Sequence, residues 1–237
     1  MNFNPDTVFI VGVGGTGGYL ASPIARLVAH HPATENAKVV FIDGDEFEEH
    51  NQTRQIVGPS QIGMNKARAM VDFCAFQGLE NVDCKEDFIS MTSFIPLLER
   101  AESPLIVCSV DNDATRHDVL KAISTTCSDK DFFFITPGNS DGTESVQGQT
   151  LWFGKCNGER VGMDPSIAYP NISNPIDSIP EKGSCALSTP SRPQLISANF
   201  FAAAITLSVI QNFLDGVLNP QQSGMFFNGR TLSTSIS

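Results

Sequence analysis

Five glycines stand in the stretch GVGGTGG at 12–18: Gly12, Gly14, Gly15, Gly17 and Gly18. Glycines so spaced allow a tight turn and let main-chain N–H groups approach an anion at a helix N-terminus. Asp43 closes the next apolar run, KVVFID at 38–43. A carboxylate at that point can accept hydrogen bonds from ribose hydroxyls. Turn and acid together suit NAD, FAD, S-adenosylmethionine or ATP alike. A glycine turn that serves only close packing is the plain alternative.

The next residues carry more charge than a dinucleotide needs. DGDEFEEHNQTRQ at 43–55 brings Asp43, Asp45, Asn51, Arg54 and Gln55 into one polar segment, and GMNKARA then sets Lys66 near a helix start. SVDNDATRHDVL sets Asp111 just past a strong apolar run, with Arg116 one turn into the following helix. A nicotinamide needs no such ring of charges. A triphosphate does: Arg and Lys hold phosphate oxygens, and a carboxylate holds Mg²⁺ together with waters and the phosphates. Taken singly, Arg54 and Lys66 could be surface cations and Asp111 a helix cap. Asp45 suits a metal contact, a phosphate-site contact or a turn.

The elements that must position these residues follow from periodicity. TVFIVGV (7–13), KVVFID (38–43) and PLIVCSV (104–110) read as fully buried strands. Helices are expected at 16–30, at 62–78 with Gly78 as the stop, briefly at MTSFIPLLERAE despite Pro96, and at about 113–127. NVDCKED and FFFITP add strands, and SVQGQTLWFG alternates like a strand exposed on one face. Strand and helix in turn imply a mostly parallel, doubly wound sheet whose carboxyl ends form a ligand crevice. From Lys155 to Pro190 the chain is rich in Gly, Pro, Asn and Ser with little periodicity, so a long loop is expected. The tail GMFFNGRTLSTSIS suggests a strand or hairpin around Asn228-Gly229.

Composition narrows the partners. A net charge of -11 over 237 residues leaves no excess of Lys and Arg to replace the counterions of a nucleic acid. LISANFFAAAITLSVIQNFL (195–214) nears the length of a membrane span. Ser197, Asn199, Thr206, Ser208, Gln211 and Asn212 interrupt it, so it reads as a buried core helix. The opening MNFNPDTVFI has no basic residue, and no secretory signal is read there. Six cysteines with no Cys-x-x-Cys suggest reduced thiols in a cytoplasm and no zinc.

Four patterns together resemble the ThiF/MoeB/ubiquitin-activating family of adenylating enzymes. They are Gly-x-Gly-Gly-x-Gly at 12–17, Asp-x-Asp…Asn-x-x-Arg-Gln at 43–55, Gly-x-x-Lys at 63–66 and Asp-Asn…Arg at 111–116. The resemblance is clear over 7–135 and looser from 183 onward. It implies that Asp43 binds ribose, that Asn51, Arg54 and Gln55 line the phosphate site, that Lys66 contacts phosphates and that Asp111 binds Mg²⁺. The implied reaction is attack of a protein's C-terminal carboxylate, often after Gly-Gly, on the α-phosphate of ATP. The implied fold is one α/β, Rossmann-like domain over 1–237. It has a nucleotide-binding core at 7–135, a C-terminal mixed or antiparallel extension, a crossover loop at 155–190 and a C-terminal helix at 192–216. Cys185, just before that helix, is the candidate nucleophile for a later transfer, with Cys156 second. Cys74, Cys84, Cys108 and Cys127 read as packing, and His50 as incidental.

Two family features are missing. No arginine precedes the first strand to serve a partner subunit's ATP, so Arg192 or Arg160 stands in or that cation is absent. The paired cysteines of a zinc site are absent as well. The expected partner is a small carrier or ubiquitin-like protein, and the expected state a homodimer packed in part through 195–214. A non-catalytic nucleotide-binding scaffold is the second reading. A dinucleotide-dependent oxidoreductase is the third.

Overall fold

The computed structural model describes residues 2–139, 146–180 and 195–237. In chain order the elements begin β1 (Thr7–Val11), α1 (Gly15–His30), β2 (Lys38–Ile42), α2 (Lys66–Phe76), β3 (Val82–Lys85), α3 (Met91–Glu99) and β4 (Pro104–Cys108). They continue with α4 (Asp113–Thr126), β5 (Phe132–Asn139), β6 (Gln147–Cys156), β7 (Glu159–Gly162), α5 (Pro165–Ala168), α6 (Pro170–Ser173), α7 (Ile196–Leu214), β8 (Gly224–Asn228) and β9 (Ser233–Ile236).

The strands form one sheet in the order β3-β2-β1-β4-β5-β6-β8-β9, with β7 paired to β6 beside β8. β1 is the middle of the five parallel strands β3-β2-β1-β4-β5: Thr7 faces Lys38 on one side and Pro104 on the other, both pairings parallel. β3 and β5 extend the parallel part outward. β6, β7, β8 and β9 are antiparallel additions, and β6 pairs with β8 over its first half and β7 over its second. This is the doubly wound α/β sheet with an antiparallel extension that the strand-helix alternation implies.

Side chains of one strand alternate between two cores. Val8 and Ile10 face Leu20, Ile24 and Met70 on the side of α1, α2 and α7. Phe9 and Val11 face Phe94, Leu98 and Val119 on the side of α3 and α4. A strand covered on both faces has no solvent side, so its sequence runs apolar without alternation. On the first side, Phe213 of α7 stacks on Phe133 with ring centroids 3.8 Å apart.

Three expectations are corrected. The helix expected from 62 starts at Lys66, because Gly63 has φ +82° and Asn65 caps the helix through the N–H groups of Ala67 and Arg68. The strand expected to be exposed on one face, β6, is largely covered, and Trp152 is 2% exposed. The loop expected from Lys155 instead carries a hairpin. Asn157 (φ 54°) and Gly158 (φ 79°) form a two-residue turn into β7, and α5 and α6 follow. Residues 181–190 of that segment, and 192–194 of the expected last helix, lie outside the described residues. The tail forms the expected hairpin, β8 with β9.

Candidate functional site

A cavity of about 910 Å³ opens at the carboxyl ends of β1, β2, β4 and β5. This is the switch point of the sheet, where the chain crosses from β3 back to β4 beside β1. Gly12, Gly14, Gly15, Asp43, Asp45, Asn51, Arg54, Gln55, Lys66 and Asp111 all line it.

The glycine turn forms its floor. Gly12 has φ +83°, a region that L side chains rarely adopt. Gly17 does not line the cavity. It lies against the carbonyl of Gly12 and the hydroxyl of Ser109, where a Cβ would collide with both, so it serves helix-to-strand packing. That corrects its assignment to the ligand site. Gly14 is the N-cap of α1, and no side chain among the described residues caps that helix. Its first N–H groups therefore face the cavity mouth with the positive end of the helix dipole.

Asp43 is 9% exposed. One carboxylate oxygen accepts from the N–H of Val13 (2.7 Å) and the other from the N–H of Asp45 (2.9 Å). Burial pushes its carboxyl above the usual carboxylate range, while Lys66 and the two N–H donors pull the other way. Lys66 opens α2, with its ammonium 3.0 Å from a carboxylate oxygen of Asp45. Asp45 thus holds Lys66 at the wall.

Asn51 and Gln55 are both buried. The Asn51 side-chain oxygen accepts from the N–H of Glu48 (3.0 Å), so it caps the short turn at 49–53. Its Nδ2 lies 3.0 Å from Nε2 of His50. His50 therefore belongs to the wall. The amide oxygen of Gln55 is buried with no partner among the described residues.

Arg54 and Asp111 differ from the groups around them. Neither makes a side-chain hydrogen bond or ion pair with a described residue, and Asp111 is exposed. Asp111 does not cap α4. Asn112 does, accepting from the N–H of Thr115 at 2.8 Å. Arg116 is tied to Asp113 (3.0 Å), Thr136 (3.3 Å) and the carbonyl of Val110, so it braces the turn that carries Asp111.

Sequence reasoning missed several lining residues. Thr136, Asn139, Gln149, Tyr169 and Ile172, all uncharged, also line the cavity. They come from β5, β6 and α6 and its approach, and no short motif joins them. Asp177 was missed too: its two carboxylate oxygens accept from the N–H groups of Asp113 and Ala114, both at 2.8 Å. Cys185 and Arg192 lie outside the described residues. Cys156 is buried away from the cavity, and burial raises its thiol pKa, which disfavours the thiolate. It does not line this site. Arg160 is exposed on β7 and does not reach the cavity.

Comparison with known proteins agrees with this geometry. The model described as "ThiF family" matches residues 4–156. Ubiquitin-like modifier-activating enzyme 5 of Caenorhabditis briggsae is 24% identical over 217 residues, covering 87% of this chain and 46% of that protein. E. coli MccB solved with ATP superposes with a TM-score of 0.67 at 15% identity, covering 99% of this chain and 64% of that one. MccB with AMPCPP and selenomethionine MccA gives 0.65 at 15% identity, covering 98% and 63%. PaaA gives 0.60 at 16% identity, covering 98% and 63%. At these identities the solved structures show a shared fold. The chain spans under half of the curated relative and under two thirds of the solved chains.

Proposed function

The chain belongs to the ThiF family, and from that premise we propose that it adenylates the C-terminal carboxylate of a small carrier or ubiquitin-like protein with ATP. The observation that carries this reading is the pair Arg54 and Asp111. They line the cavity beside Asp43 and an uncapped helix N-terminus, and no described residue partners either side chain. A dinucleotide oxidoreductase would have no use for them.

Asp43 takes the ribose hydroxyls. The α1 N-terminus, Arg54 and Lys66 face the phosphates, and the uncharged lining residues take the substrate's tail. A carboxylate oxygen of that tail attacks the α-phosphorus. The bond from the α-phosphorus to its bridging oxygen breaks, and pyrophosphate leaves with the electron pair. Nucleophile and nucleotide are both anionic, so the chain contributes positioning and charge neutralisation. Asp111 fits Mg²⁺, which takes one or two protein carboxylates and fills its shell with water and phosphate oxygens. Bound there, the ion would supply charge neutralisation. A Gly-Gly terminus on the carrier, later transfer of the acyl group to Cys185 with release of AMP, and a cytoplasmic homodimer complete the reading.

The test is mass spectrometry of mixtures with ATP, Mg²⁺ and candidate carriers ending in Gly-Gly. An AMP adduct on a carrier, lost in Asp111→Ala and Arg54→Ala, is expected. A thermal midpoint raised by NAD and left unmoved by ATP with Mg²⁺ would overturn the assignment in favour of the oxidoreductase.

A further inference from the structure

α7 is apolar over most of its length, yet Asn199 in its first turn is 0% exposed. Its side-chain oxygen accepts from the Thr16 hydroxyl (3.2 Å) and from Nδ2 of Asn139 (2.6 Å). Its own Nδ2 is buried with no acceptor among the described residues. Leaving a buried donor unpaired is unfavourable, and native proteins keep few such groups.

The position of that donor supplies a reason. A Cβ added at Gly15 would lie 2.6 Å from it, so the amide sits directly behind the glycine turn. Gly15 and Thr16 open α1 and line the cavity, and Asn139 at the end of β5 lines it too. Asn199 thus touches the first turn of α1 and the end of β5 at once. Its unpaired N–H adds a fixed positive end to that of the uncapped helix.

We propose that Asn199 is a positioning residue for the triphosphate: it ties the first turn of α1 to β5 and sets an uncompensated amide dipole behind the turn. This rests on the adenylating reading of the cavity. On that reading the dipole lies behind the turn that takes the phosphates, whereas Asp43 takes the nucleoside, so the two contributions separate by ligand.

Calorimetric titration of wild type, Asn199→Leu and Asn199→Asp with adenosine, AMP and ATP, each with Mg²⁺, tests it. Asn199→Leu keeps the branch at Cγ, with bulkier methyl groups, and removes the dipole together with the acceptor used by Thr16 and Asn139. ATP affinity is expected to fall about tenfold, AMP affinity less, and adenosine affinity by under about twofold. Asn199→Asp puts a carboxylate behind the turn, and its ATP affinity is expected to fall further than that of Asn199→Leu. Thermal midpoints show that each variant is folded, and Asn199→Leu carries the test alone if Asn199→Asp is not. A parallel loss of adenosine and ATP would mean that Asn199 only props the fold, and an unchanged ATP affinity would remove the role altogether. Wild-type protein that does not bind ATP would instead overturn the reading of the cavity, and this inference with it.

Discussion

Arg54 and Arg116 look alike in the sequence, both in acid-rich segments that follow a strand. Arg116 has three partners and a side chain only 14% exposed, whereas Arg54 has none among the described residues. The difference was not legible, because the bonds that hold Arg116 reach Val110 and Thr136, and only the folded turn brings these together. Arg116→Ala is therefore expected to lower stability by about 1.5–3 kcal/mol, the range for hydrogen bonds to a charged group. Arg54→Ala should leave the thermal midpoint unchanged and cut adenylate formation by about 10²–10³, the scale of one transition-state charge contact. Thermal unfolding beside pyrophosphate release separates the two. Asp43 gives a pH signature. Burial raises its folded-state pKa above the unfolded value. Its contribution is then fully present below the ordinary Asp range, about pH 4, and is lost as pH rises through the raised value. Asp43→Asn carries no charge to bury. The urea midpoint of the wild type should thus fall relative to that of Asp43→Asn as pH rises, and a constant gap would rule this out.

At the scale of elements, the strands β1, β2 and β4 were legible because burial on both faces leaves one signal, an unbroken apolar run. The turn after Gly12 was legible because its glycines are closely spaced. Short pieces held by distant partners were not. β7 is four residues long, and its pairing with β6 is carried by the Asn157-Gly158 turn, a hairpin signal hidden among neighbouring Gly and Pro. Asp177 lies 64 residues from Asp113, so nothing local marks it as a cap for α4. Yet its carboxylate takes the first two N–H groups of that helix while Asn112 takes the third. Among the described residues around it, Ile176 is fully exposed, the N–H of Asn174 bonds only locally to the carbonyl of Pro170 (3.1 Å), and the carbonyl of Ile172 lies 2.9 Å from Nδ1 of His117. Asp177→Ala should cost about 1 kcal/mol, as lost caps do. Amide exchange should rise at 174–180 and at Asp113 and Ala114, with the sheet unaffected. Unchanged exchange there would show that the segment is held by other contacts.

For the molecule as a whole, α7 raises a question that its sequence poses and its packing answers in part. The helix has a mean hydropathy of 1.4, and half of it is buried, against α1, β5 and β6. The outer half keeps Ile196 (51% exposed) and Phe200 (60%), and Phe200 meets Tyr19 of α1 edge-on with centroids 5.3 Å apart. In the homodimer we propose, this face pairs with its own copy across a two-fold axis, the symmetry that lets one patch serve both subunits. The net charge of -11 then acts against assembly, since two like-charged copies repel. Apolar contact must supply the attraction, and salt must help by screening the repulsion; raising it from about 0.05 M to 0.5 M shortens the screening length severalfold. Sedimentation should therefore show a dimer that tightens with salt, and Phe200→Asp should leave a monomer at the same concentration. A dimer that loosens with salt would mean that charged pairs hold it, and Phe200→Asp protein that still dimerises would place the contact on another face.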